Sequence, residues 1–302
     1  MKDVIIIGGG PAGMTCALNL LRAGHTVLII EKEAFGGQIA TSPRVENIPS
    51  IKEISGLEFA DQLFEQISDL GVEFELEEVN KVIKNPDDTF TVVTNYGKHE
   101  SKAIVVANGV SHRKMNLPKE EEFIGKGISF CAVCDGAFYK GKDTYLIGDA
   151  NSALQYALML AKTSTHVHMF TLFDKFFGDK ILVDRLLKTP NISVTHNMNL
   201  VEYLGENELT GLKFQNTKTN EIAKFATDNV FIAIGQVPHN EFLSNLIKLD
   251  KGFIVTNENM ETTIPGIFAI GDTRVKTVRQ VSTAVGDAST ASFIIDKYLQ
   301  SK

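Results

Sequence analysis

Residues 128 to 140 read GISFCAVCDGAFY, which sets Cys131 and Cys134 two residues apart and places an acid, Asp135, directly after the pair. Paired cysteines serve as a metal hook, a structural staple, a haem attachment or a redox dithiol. A structural zinc site needs four ligands, whereas the chain has three cysteines and His112 has no partner at ligand spacing. A c-type haem requires a histidine where Asp135 stands. With no export signal expected at the start of the chain, the compartment should be reducing, and a lasting structural disulfide is unusual there. Redox exchange remains. Two intervening residues at a helix start bring the sulfurs within bonding reach, and the terminal amides favour a thiolate. Asp135 is the candidate proton donor and acceptor for that thiolate, which requires partial burial to raise its pKa. An acid there also favours a helix start by its charge alone.

A second constellation opens the chain. In DVIIIGGGPAGMTCALNLLRAGHTVLIIEK, residues 3 to 32, an apolar run enters Gly8, Gly10 and Gly13, a helical stretch extends to Arg22, and a second apolar run closes on Glu31. GxGxxG alone is weak. Between a strand and a helix, with an acid about twenty residues on, it is the dinucleotide fingerprint. The glycines let the backbone approach a pyrophosphate, the helix-start amides hold its charge, and Glu31 can accept hydrogen bonds from a ribose. Cys16, on the same helix, reads as a small core residue.

The elements that position these groups follow from periodicity and punctuation. Leu57, Ala60, Leu63, Phe64, Ile67 and Leu70 recur at helical spacing over 56–70, and FTVVTNYGKHESKAIVVANG reads as a hairpin whose last strand runs to Gly109. The block then repeats: DTYLIGDANSALQYALMLAKTSTHVHMFT is again strand, glycine turn, helix and strand, followed by short strands that end at Gly235. The last informative piece, residues 262 to 299, lacks a meander and is assigned to the first domain. The expected fold is therefore α/β with two Rossmann-like domains, each a parallel sheet with helices and a β-meander. The boundaries are 1–115 plus 245–302 for a discontinuous first domain and 116–244 for a second that carries the dithiol. Pro118 and VPHNEF are the expected hinges.

At 302 residues the chain suits about two domains. Its formal charge of −7 and the lack of a basic tract argue against nucleic acid. No apolar run reaches membrane-spanning length, so no membrane is expected either, and the expected location is the cytoplasm.

GGGPAG at 8–13, GGQI at 36–39, VENIP at 45–49, CAVCDG at 131–136, GIFAIGD at 266–272 and RQV at 279–281 together resemble the low-molecular-weight thioredoxin reductases, in order and over essentially the whole chain. The resemblance implies a homodimeric flavoprotein with FAD in the discontinuous domain and thioredoxin as substrate. It carries Gly8, Gly10, Pro11, Ala12 and Gly13 to the FAD pyrophosphate, and Glu31 and Lys32 to the adenosine end. Gly37, Gln38, Asn47 and Gly109 would lie along the cofactor, Asp272 at the ribitol, and Arg279, Gln280 and Val281 near the flavin ring. Asp272 also suits a helix N-cap. By the same resemblance Cys134 receives electrons from the flavin and Cys131 exchanges with thioredoxin.

The second domain departs from the family pattern. Where a GGGDSA-like loop is expected the chain reads GDANSA, so Asp149 and Ala150 replace glycines. A carboxylate there repels a pyrophosphate, and a methyl group obstructs its close approach to the backbone. The expected HRR run is Thr171, Leu172 and Phe173, and the later arginine is Phe177, so no guanidinium remains for a 2′-phosphate. NADPH is therefore not expected to bind. In this the chain resembles the ferredoxin-dependent flavin thioredoxin reductases, which keep the fold, FAD and CxxC but lack both pyridine nucleotide motifs. That branch implies reduced ferredoxin as donor, with flavin taking electrons singly and passing them on as a pair. FTLFDKFFGDK reads either as partner surface, with Lys175 and Lys180 in a local basic patch, or as packed core. Two other readings stay open: NADPH or NADH acting through a degenerate site, and a flavin-bound redox sensor.

Overall fold

A computed structural model of the chain describes residues 1–42 and 45–302. The apolar run after the first lysine forms strand β1, Lys2–Ile7, which ends at the glycine turn; helix α1, Pro11–Arg22, and strand β2, Val27–Glu31, follow. Pro11 is the first residue of α1, where its missing N–H costs nothing. Helix α2, Gly56–Ser68, is capped by Ser55, whose Oγ accepts the Glu58 N–H at 3.1 Å, a contact of about 1 kcal/mol. Strand β3, Glu73–Leu76, is exposed along its length, as suits a charged edge strand. The meander comprises β4, Val79–Lys84, β5, Phe90–Thr94, and β6, Lys98–Val106.

After β7, Val110–His112, come a short helix α3, Glu120–Phe123, strand β8, Ile128–Ser129, and helix α4, Ala132–Asp135. Strand β9, Asp143–Ile147, leads through the second glycine turn to α5, Asn151–Leu160, then β10, His166–Phe170, α6, Lys180–Leu187, and β11, Ile192–Thr195. A second meander, β12, Met198–Leu204, β13, Gly211–Asn216, and β14, Ile222–Ala226, precedes β15, Val230–Ile232. The chain closes with β16, Gln236–Pro238, β17, Leu249–Asp250, β18, Phe253–Ile254, β19, Ile267–Ala269, and the long helix α7, Val281–Gln300.

These elements form two compact units, Met1–Ser111 with Val237–Lys302, and His112–Gln236. The chain thus crosses between 111 and 112 and again between 236 and 237, so residues 112–115 fall in the second unit and 237–244 in the first. What holds the latter is Asn240: its side chain donates to the carbonyls of Gly252, at 2.9 Å, and Thr273, at 3.3 Å, and accepts from Thr273 Oγ1 at 2.9 Å.

In the first unit the sheet order is β3-β2-β1-β6-β5-β4, with β19 also on β6. β6 serves both: Ser101 pairs antiparallel with Phe90 of β5, whereas Ile104 pairs parallel with Ile267 of β19. Strand alternation then fills two cores. Val4 and Ile6 face a core shared with α1, α2 and α7, and Ile5 and Ile7 face one shared with Val92, Leu243 and Ile254. The second unit has the order β11-β10-β9-β15-β8, with β12-β13-β14 as a separate sheet. Leu146, Val167 and Met169 pack on α5, while Tyr145, Ile147 and Phe170 pack on the meander residues Leu200 and Phe214. The fold is α/β with two Rossmann-like units.

Two local expectations shift. The helix over 56–70 stops at Ser68, because Gly71, at φ +78°, turns the chain. The strand read to Gly109 stops at Val106, because the chain turns at Gly109, with φ +63°; the Asn108 side-chain Nδ2 donates to the His239 carbonyl at 2.8 Å.

Candidate active site

In the first unit the glycine turn joins β1 to α1 with no room for a side chain at Gly8 or Gly13. A Cβ on Gly8, at φ +112°, would lie 2.4 Å from the Ala107 carbonyl oxygen, and one on Gly13 would lie 2.0 Å from the Gly8 oxygen. Gly10 caps α1, and a Cβ on Gly37, at φ +60°, would come within 3.3 Å of the Gly10 Cα. Pro11 and Ala12 complete the first turn of α1. Glu31, ending β2, accepts the Gly9 N–H at 2.7 Å and the Glu33 N–H at 3.0 Å, so its carboxylate lies beside the turn. Lys32 pairs with Glu33 at 3.2 Å and lines an open depression of about 270 Å³ with Leu76, Glu77 and Tyr96. Gln38 donates to the Val110 carbonyl.

The closing segment returns to the same unit. Asp272 lies in a tight turn after β19, and its Oδ1 is buried without a hydrogen-bond partner among the described residues. Burial pushes its carboxyl above the ordinary aspartate range, against the pull of Lys276 and Arg279. The turn is held from behind by Asp287 of α7, a residue the sequence reading missed. Its carboxylate accepts the Gly271 N–H at 3.0 Å, Arg274 Nε at 2.9 Å and Nη2 at 3.0 Å, and Lys276 Nζ at 2.8 Å. Burial opposes its ionisation, but these donors prevail and hold it below the usual range. Arg279 lies 4.4 Å over the Phe253 ring and donates to the Asp272 carbonyl at 3.2 Å. Gln280 precedes α7 and accepts from Asn47 Nδ2 at 3.0 Å; Val281 begins the helix. Asn108, also missed, keeps a buried Oδ1 without a partner among the described residues. No periodic pattern marks either residue.

This lining fits a flavin dinucleotide. The Gly8 and Gly13 positions exclude a Cβ, and two buried oxygens, on Asp272 and Asn108, await donors such as ribitol or ring N–H and O–H groups.

In the second unit Cys131 and Cys134 form a disulfide across the start of α4, with Cα atoms 5.3 Å apart. α4 has only four residues, so its dipole is slight; a single amide, Cys134 N–H, reaches Cys131 Sγ at 3.2 Å. Asp135 ends the helix, and Ser129 Oγ donates to its Oδ2 at 2.5 Å, while Oδ1 is buried without a partner among the described residues. Burial raises the Asp135 carboxyl, and the Ser129 bond only partly offsets it. His112 stacks on Phe130 at 5.0 Å, and burial lowers its imidazole to about 4. Cys16, by contrast, is buried in the first unit's core, with its thiol pushed up to about 12 by burial.

The second glycine turn differs from the first. Gly148 keeps φ +153°, and a Cβ there would lie 2.5 Å from the Ala233 oxygen, but an exposed Ala150 side chain follows. Asp149 gives its carbonyl to the Phe177 N–H at 2.7 Å, and Asn151 and Asp179 exchange hydrogen bonds at 3.0 and 2.6 Å. At the end of β10 Thr171 is buried and bonds to the Phe173 carbonyl and His196 Nδ1, each at 2.7 Å. Leu172, Phe173 and Phe177 are exposed, with the two phenyl rings edge to face at 5.4 Å. Asp174 is paired with Lys218 at 2.8 Å, and Lys175 lies over Phe177. FTLFDKFF therefore divides, with Phe170 and Thr171 packed inward and the later rings on the surface.

The family model for pyridine nucleotide-disulphide oxidoreductases matches residues 2–288. The chain is 38% identical over 301 residues to a thioredoxin reductase of Bacillus subtilis, covering 99% of this chain and 95% of that one. It is 37% identical over 301 residues to a 34.2 kDa protein in a rubredoxin operon of Clostridium pasteurianum, covering 99% and 98%. The crystal structure of thioredoxin reductase from Streptococcus pyogenes superimposes with a TM-score of 0.96 at 36% identity, covering 100% of this chain and 99% of that one.

Proposed function

This chain belongs to the pyridine nucleotide-disulphide oxidoreductase family, and from that premise we propose that it is a flavin disulfide reductase that reduces thioredoxin through Cys131 and Cys134, with reduced ferredoxin rather than NADPH as its electron source. Gly8, Gly10, Pro11, Ala12 and Gly13 hold the FAD pyrophosphate, and Glu31 and Lys32 the adenosine end. Gly37, Gln38, Asn47, Gly109 and Asp272 line the cofactor, and Arg279, Gln280 and Val281 flank its ring. Bound FAD supplies a centre that accepts electrons one at a time and releases them as a pair. The remaining chemistry belongs to the chain's own groups. Cys131 takes part in a mixed disulfide with thioredoxin, Cys134 resolves it, and Asp135 gives or takes the proton at the sulfur that departs or attacks. Relatives named thioredoxin reductase over nearly their whole length support the substrate.

The donor rests on one observation: the second glycine turn keeps Gly148 but not the later glycines, and the strand end carries no guanidinium for a 2′-phosphate. Ala150 places a methyl at the turn, Asp149 adds a carboxylate, Thr171 is bonded internally, and Leu172, Phe173 and Phe177 present hydrocarbon where guanidinium forks would stand. The enzyme acts as a homodimer in the cytoplasm without nucleic acid or membrane; among the described residues no helix is long and apolar enough to cross one.

The test is anaerobic. Oxidised holoprotein is mixed with NADPH, NADH or photoreduced ferredoxin while flavin absorbance is followed, and oxidised thioredoxin is then added. Bleaching by ferredoxin alone, reversed by thioredoxin, is expected. Rapid bleaching by NADPH overturns the donor, and failure of every thioredoxin to restore the colour overturns the substrate and favours a redox sensor.

A further inference from the structure

We propose that Ser129 is a positioning residue for the dithiol: its hydroxyl fixes which oxygen of Asp135 carries the exchangeable proton and ties that oxygen's orientation to the backbone of Cys131. The inference rests on the disulfide-reductase reading above and adds a residue to it.

Ser129 ends β8 and is buried, 7% exposed. The Cys131 N–H reaches Ser129 Oγ at 3.1 Å, and an amide can only donate, so the serine oxygen accepts there. Its own hydrogen is then free to point along the 2.5 Å contact to Asp135 Oδ2. Oδ2 is thereby occupied as an acceptor, and when Asp135 is protonated its hydrogen resides on Oδ1. That atom is buried and has no partner among the described residues, leaving it available to a sulfur. One hydroxyl thus bridges the residue that carries the outer sulfur and the acid that serves it.

Besides the two cysteines, which titrate once the disulfide opens, two phenols feel the Asp135 charge. Tyr139 follows α4 and Tyr156 lies on α5; burial first, and the Asp135 charge second, push Tyr139 up to about 12 and raise Tyr156. Both stay neutral in the working range, and Asp135 makes no ion pair among the described residues. Ser129 is therefore the group that sets its proton. Because its hydrogen bond favours the ionised carboxylate, its removal must raise the Asp135 pKa further.

The experiment uses FAD-loaded protein and measures the rate at which dithiothreitol opens the Cys131–Cys134 disulfide across a pH series, for wild type, Ser129→Ala, Ser129→Thr, Asp135→Asn and the Ser129→Ala/Asp135→Asn double variant. When a thiolate of the small dithiol attacks one sulfur, the other leaves with the bonding pair and takes its proton from Asp135 Oδ1, so no further reductant is needed. In Ser129→Ala the limb that reports Asp135 is expected to move to higher pH and the plateau to fall roughly 10-fold, while Ser129→Thr keeps the wild-type limb. In Asp135→Asn the limb vanishes, and adding Ser129→Ala then changes little, the non-additivity expected of two residues acting as one unit. An unmoved limb in Ser129→Ala, or an equal loss in the Asp135→Asn background, overturns the proposal. The small dithiol makes the result independent of the protein substrate: a shifted limb in an enzyme that fails to reduce thioredoxin rejects the function above and leaves the role of Ser129 standing.

Discussion

Among the described residues, three buried side-chain oxygens, on Asn108, Asp135 and Asp272, lack a hydrogen-bond partner and so depart from the rule that interior polar atoms are satisfied. Two fall in the flavin-cradle unit and one beside the dithiol, where a ligand or a reacting sulfur would complete them. Cys134→Ser should leave flavin reduction intact and abolish thioredoxin turnover, a contrast read by flavin absorbance and by insulin-coupled reduction; retained turnover would refute the redox assignment. Asp135 and Asp287 also respond to pH in opposite senses. Asp135 has its folded pKa raised, so the stability tied to its neutral form is complete below the ordinary aspartate pKa and is lost as pH rises through the folded value. Asp287 has its folded pKa lowered, so its contribution is present above the ordinary value and is lost as pH falls through the folded one. Asp287→Asn should cost about 3 kcal/mol at neutral pH by leaving Arg274 and Lys276 without their anion. It should also flatten the acid limb of stability, as urea melts across a pH series will measure.

At the scale of elements, the two glycine turns use the same strand–turn–helix block for different ends. The first admits a backbone-to-phosphate approach because Gly8 and Gly13 have no space for a Cβ and Gly10 leaves the helix start open. The second keeps Gly148 but continues with Asp149 and Ala150, and the strand beside it ends in hydrocarbon. A graft tests this account. Asp149→Gly and Ala150→Gly combined with Leu172→Arg, Phe173→Arg and Phe177→Arg restore the pyrophosphate approach and the charge for a 2′-phosphate. That variant should bleach its flavin with NADPH at least about 10-fold faster than wild type, since each bidentate phosphate contact contributes roughly 1.5–3 kcal/mol. Unchanged bleaching in stopped flow would mean that these five side chains do not decide whether the nucleotide reacts. The exposure of Leu172, Phe173 and Phe177 also makes the graft feasible, because new side chains there enter solvent rather than a packed core.

For the molecule as a whole, the division into two units predicts an uneven response to the cofactor. On the proposed site, FAD binds the folded form of the first unit alone and should stabilise that unit by mass action, by about 4 kcal/mol at a thousandfold excess over Kd. Hydrogen exchange of the protein with FAD and after its removal should show slower exchange with FAD in β1, β6, β19 and α1, and little change in β9, β10 and β13. Equal slowing throughout would place the cofactor's hold elsewhere. The net charge of −7 further predicts that binding of a similarly acidic donor strengthens with ionic strength unless a local basic patch receives it.

The chemistry and the fold class were legible in the chain itself, because both depend on groups close in sequence. A CxxCD stretch offers a dithiol with an adjacent acid, and a strand–GxGxxG–helix block with Glu31 offers a dinucleotide turn. That no arginine stands at 172, 173 or 177 was equally plain. What tertiary structure alone decided were partnerships across long separations. Asp287 holds Gly271 and Arg274 from the far side of a helix turn, and Asn240 joins Thr273 and so moves the unit boundary to 236 and 237. Even Ser129, six residues from Asp135, gains its role only because β8 and α4 turn the hydroxyl and the carboxylate toward each other. Hydrogen bonds of this kind leave no period in the sequence, since their geometry depends on where separate elements pack.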